Sequence, residues 1–256
     1  MSGGKNITIR RNTGFSIHLM TASGAVAGFM ALEAVFDGRI RVAMIWLVVC
    51  QILDGIDGPI ARKLDVRVHA SRVDGHVLDL VVDYVTCVVV PAVLLVQLEL
   101  APQRLSAALV AAILITSALW FARVDQETPD GWFRGFPAMW NIVVPTFVIL
   151  GTDPVMVAVV CTLGCVLQLS NLEFPHILRA TAMRRLTVSF AAVHFAAFVV
   201  LSATYPRGDR LLRDALLVAP VYLAAIVIWR TFFPQRAIFG RRIAPLVPSV
   251  REGSGS

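Results

Sequence analysis

The fold class this sequence predicts is an all-α integral membrane protein, a polytopic bundle of about eight transmembrane helices. Three observations predict it. The 256 residues are 57% hydrophobic and 16% charged, with a mean hydropathy of +0.74, against roughly 45–50% apolar content in soluble domains. Apolar runs near the roughly 20 residues that one helix needs to cross a bilayer recur along the chain. The basic residues gather in alternate connections.

Taken in order, the first run covers 14–36 behind Lys5, Arg10 and Arg11. It is too long for the apolar region of a cleaved signal peptide and reads as the first span. The same window finds spans at 39–62, 74–98, 102–123, 136–151, 154–174, 186–204 and 212–233. The fifth is short and carries Asn141 and Pro145, while Pro129, Gly131, Gly151, Pro154 and Pro206 punctuate the connections. Residues 1–252 are expected to form a single transmembrane domain, and Gly253 to Ser256 read as a cloning scar.

An even number of spans puts both termini on one side. With the N-terminus inside, the cytoplasmic segments hold 17 of the 23 Lys and Arg residues, leaving Arg39, Arg41, Arg104, Arg207, Arg210 and Arg213 outside. The positive-inside rule therefore predicts cytoplasmic termini. The net charge of +6 follows from this bias toward anionic headgroups and not from nucleic-acid binding, for which no groove-reading motif is present. Cys50, Cys87, Cys161 and Cys165 all sit within apolar runs, where they read as packing residues and not as zinc ligands or a disulfide.

The second predicted span ends in LDGIDGPIARKLD, from Leu53 to Asp65, with two aspartates one turn apart. At about 100° per residue, Asp54, Asp57, Gly58, Ala61 and Arg62 share one helix face, and Gly75, Asp79 and Asp83 form a stripe on the next helix. Both sets lie at the cytoplasmic end of their spans. Four carboxylates cannot all ionise side by side in a low dielectric without positive compensation, which divalent cations supply. An all-oxygen ligand set suits Mg²⁺ or Mn²⁺. Gly58, Ala61 and Gly75 leave room for a ligand to approach the backbone, and Arg62 offers a fork for phosphate. Together they describe a site for a metal-bound diphosphate. Packing explains any one of these residues, but not eight at fixed spacing across two helices.

Asp54-x-x-Asp57-Gly58-x-x-Ala61-Arg62 followed by Gly75-x-x-x-Asp79-x-x-x-Asp83 resembles the signature of the CDP-alcohol phosphotransferase family at all eight positions. The twelve residues from Lys63 to Asp74, against a usual spacer of about eight, and the extra Gly55 resemble the phosphatidylcholine-forming branch. So does the stretch Phe133 to Asn141. The resemblance implies a bacterial inner-membrane enzyme, active at the cytoplasmic face, that transfers the phosphatidyl group of CDP-diacylglycerol to choline and releases CMP. It implies Asp54, Asp57, Asp79 and Asp83 as ligands of about two Mn²⁺ or Mg²⁺ ions, and Asp83 also as the general base. Asp54, Gly58, Ala61, Arg62 and Gly75 then line the CDP and diphosphate pocket. Homodimers are common in the family.

Choline carries a quaternary ammonium that aromatic faces recognise. Tyr84, Trp140 and Asn141 are the candidate contacts, with interfacial anchoring as the plainer reading of such aromatics. His76 lies off the Gly75 stripe and reads as an interfacial histidine, and His194 as a hydrogen-bonded core residue. Two alternatives stand beside the main one. One is a CDP-diacylglycerol enzyme that accepts serine, inositol or glycerol 3-phosphate. The other is a cation-coupled transporter, which accounts for the acids but not for Ala61, Arg62 and Gly75, nor for a site at one membrane face.

Overall fold

The computed structural model describes residues 2–63, 73–177, 179–180 and 182–233, with the side chains of 2–14, 57–59 and 61–63 outside that description. Among the described residues the order is α1 (Ser2–Phe36), α2 (Ile40–Lys63), α3 (Gly75–Gln97), α4 (Gln103–Phe121), β1 (Trp132–Arg134), α5 (Trp140–Leu150), α6 (Pro154–Gln168), β2 (Glu173–Pro175), α7 (Arg184–Thr204) and α8 (Arg210–Phe232). The predicted tail Gly253 to Ser256 lies outside the described residues.

Five of these helices have stretches long and apolar enough to cross a bilayer: Phe15–Phe36, Gly75–Gln97, Gln103–Phe121, Arg184–Thr204 and Arg210–Phe232. The chain is a membrane protein. Helix α1 starts well before the predicted span at 14, because an apolar run marks the bilayer and not the end of helical hydrogen bonding. The fifth and sixth spans are shorter than predicted, with 11 residues in α5 and 15 in α6. At about 1.5 Å per residue neither covers a core of about 30 Å alone. The missing turns are taken by extended chain. Phe136 N–H donates to Leu167 O at 3.0 Å and Gly135 N–H to Leu172 O at 2.8 Å, while β1 and β2 pair antiparallel with Phe133 opposite Phe174. Gly131 and Gly135 have φ of +79° and +80°. A side chain on Gly135 would strike the carbonyl of Gln168.

Local signals set the helix ends. Asp74 caps α3, its carboxylate accepting from the backbone N–H of His76 and Val77 at 2.9 and 3.3 Å, and Asp153 caps α6 in the same way. Within α3 the backbone widens into a π turn over Tyr84–Val89. Pro91 sits just beyond it and lacks the N–H that would bond the carbonyl four residues back, which favours such a widening.

The core is built around small residues. Ala31 and Ala34 of α1 and Ala43 of α2 are fully buried, beside Met44, Leu47, Leu94 and Leu95. Small residues let membrane helices approach closely, and dispersion contacts then hold them. A buried polar knot ties α4, α5 and α6. Gln168 Oε1 accepts from Thr116 Oγ1 at 2.7 Å, and Ser117 Oγ accepts from Gln168 Nε2 at 3.2 Å and Trp140 Nε1 at 2.9 Å. His194 is a core residue as expected, with Nδ1 at 3.0 Å from Leu216 O between α7 and α8.

Candidate active site

The acidic face of α2 is held in place one turn before Asp54, where Gln51 Nε2 donates to Asn141 O at 3.2 Å. Across from it, Asp79 and Asp83 occupy successive turns of α3. Asp54 is exposed and the other two are half-buried, and one carboxylate oxygen from each lies within 4.8 Å of the others. Three carboxylates at that separation repel by about 3 kcal/mol per pair at an effective dielectric of about 20. A divalent cation removes that cost, and an all-oxygen donor set fits a hard ion. Asp57, Gly58, Ala61 and Arg62 belong to the backbone of α2, but their side chains, like spacer residues 64–72, lie outside the described residues.

The cleft has a third wall that the carboxylate spacing did not announce. Thr21 and Gly24 of α1 line it with Cys50, Asp54, Asp79 and Asp83. Helix α1 touches α3 here through glycines: a Cβ on Gly24 would lie 2.8 Å from Val82 Cγ1, and one on Gly28 would lie 3.1 Å from Thr86 Cγ2. Gly24-x-x-x-Gly28 is the sequence signal that could have found this wall. On the other side, Cys50 Sγ donates to Gly24 O at 3.9 Å. The buried Thr86, in the π turn after Asp83, completes the lining.

Gly75 was expected to open space for a ligand. The structure fills that space with His18, whose Cε1 would stand 2.8 Å from a Cβ on Gly75. His76 is exposed.

The predicted choline contacts are placed apart from the cleft lining. Trp140 is wholly buried, bonded to Ser117 and packed so tightly on Gly164 that a Cβ there would be 2.7 Å from the ring. Asn141 is 4% exposed and lends its backbone carbonyl to Gln51. Tyr84 OH donates to Leu114 O at 3.0 Å, with its ring edge-on to Phe121.

Several arginines at this end of the bundle have structural partners. Arg123 and Arg134 both bond Asp125, at 3.0 Å each, and their hydrogen bonds hold its carboxyl down to about 2. Arg179 pairs with Glu127 at 2.7 Å. Arg230 bonds Asp130 at 2.8 Å and Glu173 at 2.7 Å, with its guanidinium 4.6 Å from the ring centre of Trp132.

Fold and site define a class: a polytopic membrane protein whose acids converge near one end of two adjacent helices. Comparison with known proteins agrees. The family model described as CDP-alcohol phosphatidyltransferase matches residues 17–169. A phosphatidylcholine synthase of Pseudomonas aeruginosa is 32% identical over 224 residues, covering 87% of this chain and 94% of that protein. A phosphatidylcholine synthase of Mesorhizobium japonicum is 35% identical over 245 residues, covering 90% and 91%. One of Bradyrhizobium diazoefficiens is 36% identical over 235 residues, covering 91% and 85%. The chain belongs to the CDP-alcohol phosphatidyltransferase family.

Proposed function

We propose that this protein is a phosphatidylcholine synthase, transferring the phosphatidyl group of CDP-diacylglycerol to choline with release of CMP. The observation that carries the reading is the convergence of Asp54, Asp79 and Asp83 within 4.8 Å, on the spacing that the family signature requires. Relatives of that name, similar over most of the chain, support choline as the acceptor.

Asp54, Asp57 and Asp79, with an oxygen of Asp83, would hold two divalent ions, Mg²⁺ or Mn²⁺. When bound, such ions neutralise charge on the donor diphosphate and on the departing CMP. The rest of the reaction falls to this chain's own groups. Asp83 takes the proton of the choline hydroxyl as that oxygen bonds to the lipid-bearing phosphorus. The bond from phosphorus to the CMP oxygen breaks, and the electron pair leaves with CMP. Gly58, Ala61 and Arg62 border the nucleotide and diphosphate. Both termini and the site face the cytoplasm of a bacterial inner membrane, in keeping with the basic residues at that end. A homodimer is the assembly the family resemblance favours.

The test is to incubate the purified protein with CDP-diacylglycerol, Mg²⁺ or Mn²⁺, and choline, serine, inositol or glycerol 3-phosphate in turn, following CMP. Choline-dependent release abolished by a chelator is the expected result. Release with serine alone transfers the assignment to another acceptor, and none with any acceptor favours an ion-coupled transporter.

A further inference from the structure

A CDP-linked lipid brings an anionic diphosphate, and among the described residues that line the cleft there is no basic side chain and there are three carboxylates. Metal ions compensate part of that charge, yet phosphate oxygens facing away from the ions need hydrogen-bond donors of their own.

Helix α1 offers one. His18 is 8% exposed, and its Nε2 makes no hydrogen bond among the described residues. A buried polar nitrogen left without a partner is costly, and native structures keep few of them without a reason. His18 lies one turn before Thr21, which lines the cleft. Helices α1 and α3 run parallel, with His18 opposite Gly75, Gly24 opposite Val82 and Gly28 opposite Thr86. That pairing sets His18 level with the first turn of α3, one turn before Asp79. Against α2 the register runs the other way from the contact between Gly24 and Cys50. His18 is therefore level with the turn of α2 that carries Asp57.

We propose that His18 is a diphosphate-binding residue. With its proton on Nε2, it donates to a non-bridging oxygen of the CDP-diacylglycerol diphosphate at the cleft mouth, and position 75 is glycine because the imidazole ring occupies the space of a side chain there. The proposal rests on the reading of this chain as an enzyme of CDP-diacylglycerol, and it adds a donor from the first helix, whose Thr21 and Gly24 line the cleft, to carboxylates carried by the second and third.

Two substitutions separate this role from packing. His18→Leu keeps bulk and removes the donor, whereas His18→Gln sets an amide N–H near the position of Nε2. Three quantities are measured for each: equilibrium binding of CDP-diacylglycerol in micelles with Mg²⁺, the KM for donor and for choline, and thermal stability in detergent. His18→Leu should weaken donor binding and raise donor KM by about tenfold or more, while choline KM stays within about twofold and Tm is unchanged. His18→Gln should recover most of the donor affinity. Equal losses in both variants, or donor and choline KM rising together with a fall in Tm, make His18 a packing residue and overturn the proposal. Wild-type turnover with His18→Leu at parity sinks the proposal alone, and a wild-type protein that binds no CDP-diacylglycerol sinks the functional reading with it.

Discussion

Gly24 of α1 and Val82 of α3 approach so closely that a methyl group on the glycine would stand 2.8 Å from Val82 Cγ1. Val82 lies between Asp79 and Asp83 in the chain, and all three line the cleft with Gly24. The contact therefore sets the distance between the first helix and the acids. Gly24→Ala must push α3 away or force Val82 off its rotamer, at a cost of about 1–3 kcal/mol. The expected outcome is a lower Tm in detergent together with reduced turnover. Gly55, with nothing within 4 Å of its missing Cβ among the described residues, is the control, and Gly55→Ala should leave Tm unchanged or higher.

Asp83→Asn preserves size and hydrogen bonding while removing the proton acceptor. Turnover should fall by about 100- to 10,000-fold, the usual worth of a positioned general base, while metal-dependent binding of CDP-diacylglycerol remains measurable. Turnover within a few-fold of wild type would assign the proton to another group.

Asp125 titrates outside the membrane-spanning helices. Its carboxyl is held down to about 2, from an ordinary 3.8, by hydrogen bonds from Arg123 and Arg134. A depressed carboxylate pKa stabilises the folded form above the unfolded value, and that stabilisation is lost as pH falls through the folded one. The connection between α4 and α5 should therefore loosen between about pH 4 and pH 2, read as a change in tryptophan fluorescence from Trp120 and Trp132. Asp125→Asn should remove this step and leave turnover near neutral pH little changed.

Trp140 is a structural residue by its surroundings, wholly buried with its N–H on Ser117. Trp140→Ala should cost about 3–5 kcal/mol of stability and raise the requirements for both substrates together. A rise confined to choline, with Tm intact, would return Trp140 to the acceptor pocket.

What was legible in the sequence follows from what periodicity can carry. Asp54, Asp79 and Asp83 were readable because 3.6-residue spacing fixes the face of a helix, and two neighbouring helices with acidic faces must resolve their charge together. His18, Thr21 and Gly24 were not, since their place in the cleft depends on how α1 packs, and a histidine or threonine in an apolar run carries no mark of its neighbours. The ring beside Gly75 lies 57 residues away in sequence, so helical spacing alone does not place it there. The fifth and sixth spans were drawn too long because Phe136 and Phe174 are apolar in extended chain as much as in helix. Only the pairing of β1 with β2, and the ring contact of Phe136 with Phe174, show that extended chain.

We propose that the cleft of Asp54, Asp79 and Asp83 carries phosphatidyl transfer to choline. The most direct test measures phosphatidylcholine and CMP formed by the purified protein from CDP-diacylglycerol, choline and Mg²⁺ or Mn²⁺, beside Asp79→Asn. Equal amounts of the two products are expected from the wild type, none after chelation, and almost none from Asp79→Asn despite an unchanged fold. Phosphatidylcholine formed undiminished by Asp79→Asn, or none formed by the wild type under any metal, would contradict it.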